Sequence, residues 1–320
     1  MKKAKFQGHV KNITLKQIKF TLKSIPEFFD LNTWKIKHLG IGEMYNTYVF
    51  SKGKKKYFIK EVKPHEAQVN YFLSILKFKH IPYSVYPELL MKNILVLKFI
   101  EDGMMPLKDR IIDLNLLKEF TVFQNKMNDK KFFDKYNKIR LNNFSRKNNG
   151  WFTSRLERNL IFGRANLFKL KKKYNLSIID RYIEIADFIK LDENRVSKDF
   201  ADMPFARQHH DLREDNIIGK KHKLVDWGSS YGYGPFMYDV CLFLVNNKKA
   251  FNLFIKSSDI AIKASKERLK RWLYVALADR FTDFCKWHLR EGTPNLVSKA
   301  KLDKVLKFNY QTYKDLLKSI

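Results

Sequence analysis

The chain has 320 residues, enough to bury a core and to form two lobes. Its residues are 45% hydrophobic and 15% aromatic, which excludes an intrinsically disordered chain. A formal charge of +30 favours anionic partners and disfavours cationic ones unless a local acidic pocket overrides the field. Cys241 and Cys285 are the only cysteines and have no metal-ligand spacing, so reduced cytosolic thiols are expected. No apolar run approaches the roughly 20 residues of a membrane-spanning helix, and Lys5, Lys11, Lys16 and Lys19 interrupt the first ones. The expectation is a cytoplasmic protein whose basic face can lie against an acidic membrane.

In chain order, residues 1–36 carry many lysines and no acid before Glu27. Ile13, Leu15, Ile18, Phe20, Leu22 and Ile25 fit no single period, so a short strand or helix is expected there. Trp34 to Leu39 alternates as a strand, and Gly40 to Asn46 turns. Thr47 to Phe50 and Lys56 to Val62 read as the next two strands, joined at Ser51 to Lys54. The first turn, with Gly40 and Gly42, lets backbone N–H groups approach an anion. Lys60 stands inside an apolar strand, where a charge needs a partner.

Pro64 opens a helix, with Glu66 in its first turn and Val69, Phe72, Leu73 and Leu76 at helical spacing. Glu66 can pair with Lys60, although an interval of six residues is short for such a pair. Tyr83 to Leu90 and Ile94 to Ile100 read as two further strands, followed by a hinge at Glu101-Asp102-Gly103. From Pro106 onward Leu107, Ile111, Leu114, Leu117, Phe120, Phe123 and Met127 recur at helical steps. Residues 130–175 interleave Lys and Arg with aromatics. This pattern suits either an anionic partner or amphipathic helices with a solvated basic face. Ile178 to Ile189, a buried helix from Asp239 to Leu244, and a helical tail from Ile262 to Ile320 complete the chain.

The richest chemistry lies in Gln208-His209-His210-Asp211-Leu212-Arg213-Glu214-Asp215-Asn216-Ile217-Ile218, followed by Asp226-Trp227-Gly228. Asp211, Asn216 and Asp226 offer oxygen donors suited to a hard cation such as Mg²⁺. Phosphoryl transfer uses that set, with one aspartate left to orient the attacking hydroxyl. The spacing H-x-D-x-x-x-x-N followed by D-x-G matches the kinase pattern. Backbone groups of Lys98 and Ile100 are then placed to meet adenine.

The succession of glycine turn, strand lysine, helix glutamate, hinge, H-x-D-x-x-x-x-N and D-x-G resembles the aminoglycoside phosphotransferase and choline kinase-like group of kinase-fold enzymes. The resemblance runs from about Leu39 to Leu244 and is densest from His209 to Asp239. It implies an α+β, two-lobed, protein-kinase-like fold. A nucleotide-binding lobe of residues 1–100 would hold an antiparallel sheet with one helix, and residues 101–320 a larger, mainly helical lobe. It implies ATP and Mg²⁺ as cofactors, Asp211 as catalytic base, and Asn216 and Asp226 as metal ligands. Lys60 would sit on the nucleotide phosphates with Glu66 as its partner, and Gly42, Asn46 and Thr47 would form the phosphate loop with Gly40. Asp239 would anchor the catalytic loop, and Arg213 would stabilise charge on the phosphoryl group. The short step from Asp226 to Asp239, without a following Ala-Pro-Glu, separates the chain from protein kinases. A small-molecule hydroxyl acceptor, neutral or anionic, is expected between residues 130–200 and the C-terminal helices. The alternative is a catalytically degenerate kinase fold that binds RNA or an acidic membrane through residues 130–175.

Overall fold

A computed structural model describes residues 13–41, 46–101, 113–136, 149–212, 216–227, 233–293 and 298–318. The chain divides into two compact units: residues 1–143 with 211–231, and residues 144–210 with 232–320.

The first unit begins with α1 (Leu15–Leu22), capped by Thr14 and Gln17 in a reciprocal capping box. Four strands follow: β1 (Lys35–Ile41), β2 (Asn46–Lys52), β3 (Lys55–Glu61) and β4 (Ile94–Lys98). They pair antiparallel in the order β1-β2-β3-β4. Gly53, at φ 56°, supplies the left-handed residue that the β2–β3 turn requires. Helix α2 (Pro64–Leu76) connects β3 towards β4, with proline in its first turn.

Strand alternation assigns the two faces of this sheet. Phe50, Ile59, Ile94 and Val96 bury with Ile18 and Leu22 of α1 and with Phe28 and Trp34. Val62, Leu95 and Leu97 bury with Ala67 of α2, and Phe58 packs against them. Each such large apolar side chain stabilises the fold by about 1.5–3 kcal/mol relative to exposure.

The expected strand over Tyr83 to Leu90 does not form. Pro87 cannot donate to a ladder and instead opens a 3₁₀ helix, Pro87–Lys92. A single ladder-like bond, Val85 N–H to Val96 O at 2.9 Å, ties the segment to β4. The hinge at Asp102 and Gly103, with Leu107 and Ile111, lies outside the described residues.

The unit continues with α3 (Leu114–Asn128) and α4 (Lys130–Tyr136). The hairpin of β6 (Ile217–Ile218) and β7 (Lys223–Leu224) belongs to the same unit. Trp227 is buried against Phe123, centroids 4.9 Å apart, and stacks on Phe120 at 6.3 Å, tying the residue after Asp226 to α3.

The second unit is mainly helical: α5 (Asn149–Tyr174), α6 (Ser177–Leu191), α7 (Glu193–Ala201), α8 (Cys241–Leu244), α9 (Lys248–Ser257), α10 (Lys266–Asp283) and α11 (Lys299–Tyr313). Strands β5 (Phe205–Arg207) and β8 (Tyr233–Pro235) form a small antiparallel pair. Tyr182 lies at the centre, stacked on Phe281 at 5.8 Å and donating its hydroxyl to Leu306 O at 2.8 Å. A π-turn, Phe284–His288, extends α10. Both cysteines are buried and unpaired by disulfide. Among the described residues, no helix is long and apolar enough to cross a membrane.

Candidate active site

Lys60 is the centre of the first unit's polar cluster. Alternation puts Phe58, Lys60 and Val62 on the α2 side of the sheet. Lys60 Nζ donates to Glu66 Oε1 at 3.1 Å and to Asp226 Oδ1 at 3.0 Å. Six residues suffice for the first pair because α2 begins directly after β3, leaving Glu66 in its opening turn. Burial works against the Lys60 ammonium, but Glu66 and Asp226 outweigh it and raise its pKa. Glu66 is only 1% exposed, and burial pushes its carboxyl up to about 7 against the pull of Lys60.

Asp211, Asn216 and Asp226 are set by the β6–β7 hairpin. Asn216 Nδ2 donates to Asp211 O at 2.7 Å and to Asp211 Oδ2 at 3.0 Å, closing the loop between them. Val225 N–H donates to Asn216 O at 2.8 Å, and Ile217 pairs with Leu224, so Asn216 and Asp226 flank the open end of one hairpin. Asp226 adopts φ 59°, a left-handed conformation that aspartate tolerates better than most residues. Its side chain is 53% exposed despite the bond to Lys60.

The segment leading into Asp211 is fixed within the second unit. Asp239 is fully buried, and its Oδ2 accepts the backbone N–H groups of His209 at 2.5 Å and His210 at 3.2 Å. Burial raises its pKa, opposed by His209, Arg280 and those amides. His210 is left-handed, at φ 66°, immediately before Asp211. Gln208 donates to Ala206 O and Gly234 O and accepts from Asp239 N–H. A Cβ at Gly234 would stand 3.1 Å from Gln208 and 3.2 Å from His210, so only glycine fits without displacement. Gln208 and Arg280 were missed by sequence reasoning. Arg280 is buried on α10, over the Tyr238 ring at 4.7 Å, and reaches His210 O at 3.5 Å. A charged residue inside an apolar helix face was the available signal.

The other expected site residues fall in several places. Gly40 lies in β1 at a register shift between His38 and Gly40, a β-bulge. Gly42 and Arg213 lie outside the described residues. Asn46 and Thr47 begin β2; Asn46 Nδ2 donates to Ile13 O at 3.5 Å, and Thr47 pairs with Lys60. Phe99 N–H donates to Lys56 O at 3.0 Å, whereas Val96 O faces away and accepts from Val85. By the same alternation Lys98 and Ile100 turn their N–H and C=O away from β3, towards the open edge of the sheet. The basic and aromatic run at 130–175 is helical in α4 and α5, with residues 137–148 outside the described residues.

The donor set fits Mg²⁺. Asn216 commits its amide N–H groups to Asp211, which leaves its Oδ1 side for a cation. Asp226 adds an exposed carboxylate. Among the described residues no three His, Cys, Asp or Glu converge to form a metal cage. Mg²⁺ is bound through one or two carboxylates plus substrate phosphates, and Asp226 with Asn216 would supply the protein's share of such a set.

Among solved structures, the chain is similar in fold to an ethanolamine kinase from Plasmodium vivax. The TM-score is 0.52 at 13% identity, covering 95% of this chain and 89% of that one. Choline kinase LicA from Streptococcus pneumoniae aligns at 13% identity over 95% of this chain and 97% of its own, with a TM-score of 0.47. A spectinomycin phosphotransferase solved with ADP and spectinomycin aligns at 13% identity over 93% and 98%, with a TM-score of 0.45. No protein-family model and no curated protein sequence matches the chain. The likeness at this identity is one of fold: the chain has a protein-kinase-like fold with an N-terminal antiparallel sheet and a largely helical remainder.

Proposed function

We propose that the chain is an ATP- and Mg²⁺-dependent phosphotransferase of the aminoglycoside phosphotransferase and choline kinase-like group. It would move the γ-phosphoryl group to a hydroxyl of a small molecule. The observation that carries this reading is Lys60 held at 3.1 Å and 3.0 Å by Glu66 and Asp226 in the unit that also holds Asp211 and Asn216. The fold shared with a known small-molecule kinase supports it.

In this reading Asp211 accepts the proton of the acceptor hydroxyl as its oxygen attacks the γ-phosphorus. The bond to the bridging oxygen breaks and ADP leaves. Lys60, held by Glu66, neutralises phosphate charge, and Asn216 with Asp226 would hold Mg²⁺. When bound, Mg²⁺ supplies charge neutralisation at phosphate oxygens. Gly40, Gly42, Asn46 and Thr47 would cover the phosphates, Lys98 and Ile100 would offer backbone groups to adenine, and Arg213 would face the transferred group. Asp239 acts at one remove, by fixing the peptide groups that precede Asp211.

The test is turnover. The protein is incubated with ATP, Mg²⁺ and a pool of hydroxyl-bearing metabolites, and phosphorus resonance follows ADP and new phosphomonoesters. Wild type should produce both, and Asp211→Ala neither while staying folded. Wild type that turns over only polycationic amines would overturn the preference for a neutral or anionic acceptor.

A further inference from the structure

The second unit contains a built cationic site that the proposed phosphoryl-transfer chemistry does not use. Its base is a buried relay between α5 and the end of α10. Arg155 pairs with Asp283 and stands 3.6 Å from Asp279. Tyr238 donates its hydroxyl to Asp283 at 2.5 Å, and Asn159 Nδ2 donates to the same carboxylate at 2.5 Å. Asn159 is 1% exposed, so its amide is locked, and its Oδ1 accepts from Lys286 Nζ at 2.8 Å.

The π-turn aims Lys286 there. One extra residue per turn frees backbone carbonyls, and Asn166 Nδ2 recaptures those of Cys285 at 3.1 Å and Lys286 at 3.0 Å. Lys286 then lies over Trp287 at 4.6 Å and Phe162 at 5.6 Å, and Arg290 lies over the Trp287 ring at 4.8 Å. Trp287 and Phe162 are about half exposed, at 47% and 53%. Desolvation lowers the Lys286 pKa, and Arg158, Arg155 and Arg290 press it further down, against Asp283. Both nearby acids are already engaged by Arg155, and Glu291 is paired with Lys173 at 3.1 Å. Arg158, Arg155 and Arg290 thus crowd Lys286 while Asp279 and Asp283 are taken up by Arg155, and an ammonium ligand would meet repulsion.

We propose that Lys286, Arg158 and Arg290 form a binding site for a phosphate group. Arg forks and an ammonium with one protein acceptor match a tetrahedral dianion.

The experiment is calorimetric titration with inorganic phosphate, in wild type, Lys286→Gln, Arg158→Gln and Lys60→Met. Arg158 is exposed, so its variant tests the site without disturbing the core. The expected result is a phosphate affinity weakened about tenfold in Lys286→Gln and in Arg158→Gln, and kept in Lys60→Met. Phosphate binding unchanged in both α5 and π-turn variants, or lost only in Lys60→Met, would overturn the proposal. Vesicles of phosphatidylcholine with and without phosphatidic acid identify the source. Binding only to the acidic vesicles, competed by free phosphate, marks a lipid-borne group, and binding of free phosphate alone marks a soluble one. A parallel titration with Mg-ATP separates the two readings. Failure there removes the phosphotransferase assignment, whereas intact Mg-ATP binding without phosphate binding removes only this one.

Discussion

A carboxylate buried beside a lysine has two opposed demands, and Glu66 shows both. Burial lifts its pKa to about 7, while Lys60 at 3.1 Å draws it down. Because the folded value lies above the unfolded one, near 4.5, the protonated form contributes stability that is complete below about 4.5. That contribution is lost as pH rises through about 7. Glu66→Gln should therefore flatten the decline of unfolding free energy across that window, measured by denaturant titration at several pH values. The same ionisation creates the anionic partner of Lys60, so the phosphoryl-transfer rate of wild type should rise through about pH 7, and that limb should vanish in Glu66→Gln. Asp211→Asn should lower kcat about 10²- to 10⁴-fold with little change in nucleotide affinity, read by steady-state kinetics and titration. These residue types were legible in the sequence, because a lysine inside an apolar strand and aspartates at H-x-D and D-x-G are hard to explain as packing. The buried partners were not. Gln208, Arg280 and Asp279 each reach a partner distant along the chain, as with Arg280 and His210, 70 residues apart.

At the scale of elements, the antiparallel sheet followed strand alternation and the helix after Pro64 followed its start signal, so the Lys60–Glu66 pair could be read before any coordinates. Tyr83 to Leu90 shows where alternation misleads, since Pro87 has no N–H for a ladder and its φ already suits a 3₁₀ turn. The π-turn was invisible for another reason: a single extra residue in a helix leaves no periodic mark over so short a stretch. Its packing makes a test. A Cβ at Gly163 would fall 2.8 Å from Cys285 Cβ, closer than side chains tolerate. Gly163→Ala should destabilise the protein by about 1–3 kcal/mol, seen as a lower Tm by calorimetry, because α5 and the π-turn must separate. A Tm equal to wild type would show that the two segments are not in close contact.

At the scale of the whole molecule, the charge of +30 bears on association and not on fold. It should make turnover fall with ionic strength for an anionic acceptor, and kcat/KM against added salt would read this directly. The comparisons fix the fold at 13% identity and leave the chemistry to be carried by Lys60, Glu66, Asp211, Asn216 and Asp226. The most direct measurement is titration of ATP into the protein with and without Mg²⁺, for wild type and Asp226→Ala. The account predicts ATP binding strengthened by Mg²⁺ in wild type, with that gain lost in a folded Asp226→Ala protein. Absence of ATP binding by wild type, or an affinity indifferent to both Mg²⁺ and Asp226, would contradict it.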